Sequence, residues 1–220
     1  RKLCVVRDVL LLTATGAAGP SPPSRDELFE TPVVMYAGNL EHYQGIDLLL
    51  ESFARAARTA VRGTLVIIGG AEKDILRYQA KAAGLGIAER VRFLGPQPVE
   101  RFGAHLARAD VLVSPRIKGK NTPMKIYSYL HSGKAVLATD IECHRQVLDR
   151  TVAAVAPPEV EAFAREMALL MGDELLRRRL GNAGRALIEA RHTYEVFRNE
   201  VNGLYDWLAA RVGPAAGSAG

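Results

Sequence analysis

Arg116, Lys118, Lys120 and Lys125 fall within ten consecutive residues, and no acid interrupts them. The stretch that holds them runs from Ser114 to Thr139. It leaves the apolar run at Asp110–Val113, passes through a short loop, and meets Pro123 just behind two residues able to cap a helix, Asn121 and Thr122. Proline in the first turn of a helix costs no hydrogen bond, because the amides there have no intrahelical acceptor. A helix opening at Pro123 would aim those amides, and the positive end of its dipole, into the loop that carries the basic side chains. Such a corner selects an anion, and phosphate suits it best. The alternative for the same residues is a basic loop that water solvates.

A corner of that kind needs a strand before it and a helix after it, and the chain supplies that alternation repeatedly. Val33–Ala37 is a short apolar run ending at Gly38, and Ile46, Leu49, Leu50, Phe53, Ala54 and Ala57 follow at helical spacing. Thr64–Ile68 precedes a helix through Ile75, Leu76 and Gln79, and Val91–Leu94 precedes Phe102 and Leu106. Asp110–Val113 precedes the Pro123 helix, Ala135–Thr139 a short helical turn near Gln146 and Val147, and Val152–Val155 closes the series. About six short buried strands separated by helices predict a parallel sheet covered on both faces. With right-handed crossovers this is an α/β fold, a Rossmann-like doubly wound layer. After Pro157 and Pro158 three amphipathic helices are expected. Their apolar stripes run through Val160, Phe163, Ala164, Met167, Leu170 and Met171, then Leu175, Leu176, Leu180, Ala183 and Leu187, then Val196, Phe197, Val201, Leu204, Tyr205 and Leu208. Met167 and Met171 read as core filler. Residues 1–30 read as a linker, Pro- and Gly-rich over Gly16–Ser24, with a short strand at Val9–Leu12. Residues 31–210 form the domain, and 211–220 a disordered tail.

In an open parallel sheet the ligand lies over the carboxyl ends of the strands. The loops there are 38–44, 69–73, 95–98 and 115–122, and each starts on a residue suited to close backbone approach or a fixed bend: Gly38, Gly69, Gly95 and Pro115. Glycine at these places also serves plain strand-to-helix turns. No Walker pattern follows Gly69 and Gly70, which argues against an NTP-hydrolysing site. His42 falls in the first loop, His131 near the end of the Pro123 helix, and His105, His144 and His192 show no constellation. No Ser/His/Asp arrangement, metal-spaced cluster or pair of convergent carboxylates is legible in these loops. The chemistry expected is therefore binding and electrostatics rather than general base catalysis.

Three ordered pieces carry a resemblance to a known family. They are Val33–Leu40 with Gly45, Val91–Gly95 followed by Ala109–Pro115, and the Ser114–Thr139 stretch itself. Together they resemble the family 4 (group 1) retaining glycosyltransferases, over roughly residues 31 to 209. The resemblance implies the C-terminal half of a GT-B fold with extra C-terminal helices, that is, the half that binds a nucleotide-sugar donor (a UDP-, GDP- or ADP-sugar). It implies hexosyl transfer with retention, no required metal, and an acceptor bound by a missing N-terminal domain, so that the domain alone transfers little or nothing. It places the Gly38 loop, with Asn39 and Gly45, beneath the diphosphate, Gly95 beside the nucleobase, and the amides of Asn121, Thr122, Pro123 and Met124 at the transferred sugar. Pro123 itself has no N–H to offer. Lys125 would meet the phosphates, Ser128 the ribose hydroxyls, and Arg116, Lys118 and Lys120 would share the neutralisation of the phosphates. Many members carry two glutamates eight apart where this chain has Lys120 and Ser128, and an arginine and a lysine where it has Asn39 and Gln44. The reading Asn-Thr-Pro-x-Lys-Ile-Tyr-Ser-Tyr-Leu is similar to a subgroup of the family. A non-catalytic relative that binds a nucleotide-sugar or a partner is the alternative the drifted glutamates allow.

Composition narrows the partners without choosing among them. The chain has 220 residues, 48% apolar and 24% charged, which is enough for a sizeable core, and a net charge of +5. An acidic partner fits that charge, whether a nucleotide, RNA or an anionic lipid headgroup. Nucleic acid is disfavoured because the basic loop has no interleaved aromatics, Tyr127 and Tyr129 falling on the helix instead. No apolar run approaches the ~20 residues a membrane helix needs. Peripheral membrane contact is left to the full protein. Cys4 and Cys143 are far apart and read as free thiols of a reducing, cytoplasmic compartment. The first residue is Arg1, and the chain is expected to be part of a longer protein.

Overall fold

The strands form where the sequence is apolar on both faces, and the helices between them cover those faces. The computed structural model describes residues 29–58 and 62–212. The expected strand at Val9–Leu12, Cys4, the linker stretch and the tail from Gly213 lie outside them.

Six strands, β1 (Val33–Ala37), β2 (Thr64–Ile68), β3 (Val91–Gly95), β4 (Val111–Ser114), β5 (Ala135–Thr139) and β6 (Ala154–Ala156), form one parallel sheet in the order β3-β2-β1-β4-β5-β6. Between them run α1 (Ile46–Ala57), α2 (Glu72–Gly84), α3 (Phe102–Arg108), α4 (Lys125–His131) and α5 (Glu142–Arg145). After β6 come α6 (Val160–Gly172), α7 (Glu174–Arg191) and α8 (Tyr194–Val212). Successive side chains of a strand point to opposite faces, and the core divides accordingly. Val34, Tyr36, Leu65, Ile67, Val111, Val113 and Leu137 pack with residues of α1, α2 and α6. Val33, Met35, Val66, Ile68, Leu112 and Val136 pack with residues of α3, α4 and α7. Met167 and Met171 are buried in the first of these layers, as core filler should be.

Two strands begin later than their apolar runs, for local reasons. Asp110 stays outside β4 because its carboxylate accepts the Val33 amide at 2.8 Å while its own amide donates to Val33 O. Val152 and Ala153 donate to Asp149 O in a turn and reach the sheet only at Ala154. The last helix also differs from its pattern. Tyr205 and Leu208, expected on an apolar stripe, are exposed together with Trp207. α7, by contrast, comes in close. A Cβ on Gly181 would lie 2.1 Å from the Gly133 carbonyl oxygen, so the glycine lets the helix backbone rest on the corner between α4 and β5.

Candidate functional site

The strand order reverses between β1 and β4, which opens a crevice above their carboxyl ends. Two loops border it, 38–45 after β1 and 115–124 after β4. They are stitched together by the Ile117 amide donating to Tyr43 O at 2.9 Å. Gly45 takes φ +74°, and a Cβ there would stand 2.0 Å from the Pro115 carbonyl oxygen. Only glycine serves both the left-handed turn and the close approach. Gly38 (φ +150°) has Tyr36 and Lys125 packed against it: a Cβ there would come 2.9 Å from Tyr36 Oη and 3.1 Å from Lys125 Nζ.

Lys125 opens α4 and reaches back across the crevice to the first loop. Its partly buried ammonium lies 3.2 Å from Ala37 O, 3.4 Å from Gln44 Oε1 and 4.0 Å from the centre of the Tyr36 ring. All three partners are uncharged. Burial, reinforced by the nearby Arg116 guanidinium, pushes the amine down to about 7. Tyr36 donates to Asn39 O at 2.6 Å, which fixes the turn that follows Gly38. Tyr129 exchanges hydrogen bonds with the backbone of Ala37, and burial pushes its phenol up.

Arg116 is brought to the same crevice but is folded onto its own loop. Nε donates to Lys118 O at 2.8 Å and Nη1 to Asn121 O at 3.3 Å, with the guanidinium 5.1 Å from the Tyr43 ring centre. Lys118 and Lys120 are exposed, so the four cations of the run do not converge: Arg116 and Lys125 face the crevice region, and the other two face solvent. The helix begins two residues later than the proline suggested. Pro123 O accepts the Ile126 amide at 2.9 Å and Met124 O the Tyr127 amide. Among the described backbone bonds the amides of Met124 and Lys125 have no acceptor, in keeping with an open helix start. Neither expected cap forms. Thr122 Oγ1 instead donates to Gln146 Oε1 at 2.7 Å, and Gln146 Nε2 donates to Lys120 O at 2.7 Å. Asn121 and Met124 are exposed, and Ser128 is buried one turn along from Lys125. Gly95 ends β3 with φ +65°, and its amide oxygen accepts from Gly69 N at 2.8 Å.

One constellation escaped the sequence reading. His144, from α5, is fully buried between Ser114 and Thr139, the last residues of β4 and β5. Its Nε2 is 2.9 Å from Ser114 Oγ and its Nδ1 2.8 Å from Thr139 O, while Thr139 Oγ1 donates to Arg116 O. Burial holds the imidazole down to about 4, so it is neutral. A Ser–His pair sealed from solvent in this way has no route to a substrate. Its only sequence signal is a histidine five residues after a strand-ending threonine, which no spacing rule marks. His42 is exposed with Nδ1 3.9 Å from Asp47 Oδ2. Cys143 is a buried free thiol.

Two surface cavities, of about 520 and 530 Å³, open at the opposite pole. One is bordered by Arg55 of the last turn of α1 with Ile87 and Arg90 ahead of β3, the other by Pro32, Asp110 and Lys134, each next to the amino end of a strand. Neither is lined by Gly38, Gln44, Arg116 or Lys125. Among the described residues there is no cluster of three or more His, Cys, Asp or Glu able to hold a metal ion, and no helix is long and apolar enough to cross a membrane.

The model of the family "Glycosyl transferases group 1" matches residues 24–187. A phosphatidyl-myo-inositol mannosyltransferase of Mycobacterium leprae is 27% identical over 179 residues, covering 80% of this chain and 46% of that protein. The chain thus spans about half the length of the curated relatives it matches. Among solved structures, Anabaena HepE in complex with UDP is similar at a TM-score of 0.71 and 18% identity, over 80% of this chain and 49% of that one. The C-terminal domain of a group 1 family glycosyl transferase from Francisella tularensis gives a TM-score of 0.66 at 17% identity, over 74% of this chain and 86% of that domain. Identities this low speak to the fold alone.

Proposed function

The chain belongs to the group 1 glycosyl transferases, and on that premise we propose that it is the part of a longer enzyme that binds the nucleotide-sugar donor. The observation that carries this reading is the ammonium of Lys125, delivered from α4 to the Gly38 loop at the β1/β4 reversal with only neutral partners. A cation left without a counter-ion in a cleft is matched by a diphosphate. Gly38 gives the phosphates backbone approach, Lys125 their principal charge, and the unpaired amides at Met124 and Lys125 a place for the sugar. As the bond to the sugar breaks, the departing nucleoside diphosphate gains negative charge, and preorganised cations stabilise that transition state.

The base is set by contacts near Gly95, and a UDP-, GDP- or ADP-sugar fits equally. The UDP bound by Anabaena HepE supports the class of ligand. The near-complete coverage of the Francisella C-terminal domain supports a C-terminal position, with the acceptor bound by another part of the full protein. Transfer with retention, without a required metal, follows from that kinship, and the isolated chain binds donor while transferring little. The second reading, a relative that binds without catalysing, is favoured by exposed Lys120 and buried Ser128 at the two positions where glutamates are usual.

Calorimetry with UDP, GDP and ADP tests the reading. Binding of one of them, lost on Lys125→Ala, is expected. A nucleotide at a hundredfold its dissociation constant should also stabilise the fold by about 2.7 kcal/mol. Absence of binding by all three overturns the proposal. Hydrolysis of the cognate nucleotide-sugar by the chain, or transfer once the rest of the protein is supplied, decides against the non-catalytic alternative.

A further inference from the structure

The 115–124 loop carries half of the candidate site, yet it has no regular structure between Ser114 and Lys125. Arg116 ties part of it to itself, through Lys118 O and Asn121 O, and the rest of its course is set from outside. From below, three side chains with no exposure at all, Ser114, Thr139 and His144, form a series of hydrogen bonds that ends on the loop. Its direction follows from the chemistry of each atom. The carbonyl of Thr139 can only accept, so Nδ1 of His144 bears the hydrogen at 2.8 Å. Nε2 of the neutral ring is then an acceptor, and Ser114 Oγ donates to it at 2.9 Å. The hydroxyl of Thr139 is left to donate to the carbonyl of Arg116. Simple filling of this space would need only an apolar side chain. The polar arrangement instead fixes one backbone oxygen in one place. Two residues further on, Gln146 holds the other end of the loop, by Lys120 O and Thr122 Oγ1.

We infer that His144 is a positioning residue of the donor site, acting through Thr139 to fix the carbonyl of Arg116 and so the path of the loop that presents Arg116 and the Met124 and Lys125 amides. The inference rests on the donor reading above. It makes no contact between His144 and ligand. It also explains why the imidazole is kept neutral, since a protonated ring could not accept from Ser114.

The test uses the full chain. Thr139→Val removes the hydroxyl that reaches Arg116 O and also lies 3.1 Å from His144 Nδ1, while leaving the carbonyl that His144 needs; Thr139→Ser keeps the hydroxyl, and His144→Phe removes the ring nitrogens. Affinity for UDP and GDP is read by calorimetry, and hydrogen exchange by NMR at the Ile117 amide, which donates to Tyr43 O, against the Met35 and Val66 amides of the sheet. Thr139→Val is expected to weaken the nucleotide that binds by about three- to tenfold, the net worth of one hydrogen bond. It should speed exchange at Ile117 by a similar factor with the sheet amides unchanged. Thr139→Ser should restore both, and His144→Phe should exceed Thr139→Val in both. Wild-type affinity and wild-type Ile117 exchange in Thr139→Val overturn the positioning role, as does protection lost equally in loop and sheet, the mark of a merely structural network. A wild-type chain that binds none of UDP, GDP and ADP defeats the donor reading separately. The exchange at Ile117 then decides alone whether His144 holds the loop.

Discussion

Replacing Lys125 with methionine removes the ammonium and keeps a flexible apolar stem of similar reach. The groups that face the amine are Tyr36 and Ala37 of β1, Gln44 of the first loop and, at longer range, Arg116; among the described residues no carboxylate pairs with it. With its pKa pushed down to about 7, the amine is about half protonated at neutral pH. A diphosphate binds the protonated form. A hydrogen bond to a charged group contributes about 1.5–3 kcal/mol, so Lys125→Met should weaken nucleotide binding by about 10- to 100-fold at pH 6 to 7. The protonated fraction falls from about one half at pH 7 to about one hundredth at pH 9, so the wild-type advantage should fall toward one over that range. Titration of the nucleotide itself is common to both proteins and cancels in the ratio. Stability should move the opposite way. The folded pKa lies below the unfolded value, so the folded state binds fewer protons and wild-type stability rises as pH climbs from about 7 toward 10.5. At pH 6 the charged amine is a burden that methionine lacks, and the variant should melt higher while binding worse. Calorimetry with UDP and GDP at pH 6, 7, 8 and 9, with melting curves of the free proteins, reads all of this. Binding by Lys125→Met within twofold of wild type at every pH refutes the assignment of Lys125 to the phosphates.

Three further outcomes follow from geometry. Gly45→Ala forces a side chain into a left-handed turn and against Pro115 O, and should cost roughly 1–3 kcal/mol in a denaturant titration; a shift under about 0.3 kcal/mol contradicts the close approach of the two loops. Gly181→Ala would stabilise an open helix by about 0.5–1 kcal/mol, but with Gly133 O 2.1 Å from the added carbon it should lower the melting temperature instead. The neutral His144, with a folded pKa of about 4 against an ordinary value of 6.5, contributes stability that is complete above pH 6.5 and lost as pH falls toward 4. About 3 kcal/mol should disappear over that window, and His144→Phe should flatten that part of the profile.

Most of the fold was legible because it is repetitive. Runs such as Thr64–Ile68 and Ala135–Thr139 are apolar but for one terminal threonine each, which suits a strand buried on both faces, and the structure returns them with unchanged bounds. Edges were less legible where a polar atom decides them: the carboxylate of Asp110 caps the sheet rather than joining it, and Asp149 gathers Val152 and Ala153 into a turn. For α8 the sequence marks the helix but not its face, since helical spacing shows an apolar stripe and not whether anything within the described residues lies against it. In the crevice, residue type found Gly38, Gly45 and Lys125. It could not say that Arg116 folds onto its own loop, that Lys118 and Lys120 point outward, or that Thr122 binds Gln146 instead of capping α4. Those outcomes depend on which way a loop turns, and here the turn is set by a histidine some twenty-eight residues away along the chain from Arg116.

The same geometry gives a physical meaning to the two missing glutamates. Ser128 lies three residues after Lys125, so the two side chains emerge on one side of α4 about 5–6 Å apart at Cβ, and Ser128 is buried. A carboxylate there would be an immediate counter-ion for Lys125. It would raise the amine toward full protonation and, at the same time, satisfy the charge that a diphosphate is otherwise needed to satisfy. With serine the amine stays short of a partner and near its titration point. Neutral Asn39 and Gln44 act oppositely on the amine, since cations there would push its proton off further, but they too leave Lys125 to meet the phosphates without help from those positions. The crevice therefore holds one lysine with neutral acceptors around it. Its grip on an anion should accordingly be concentrated on Lys125 and steep in pH, rather than distributed over the basic loop that precedes it.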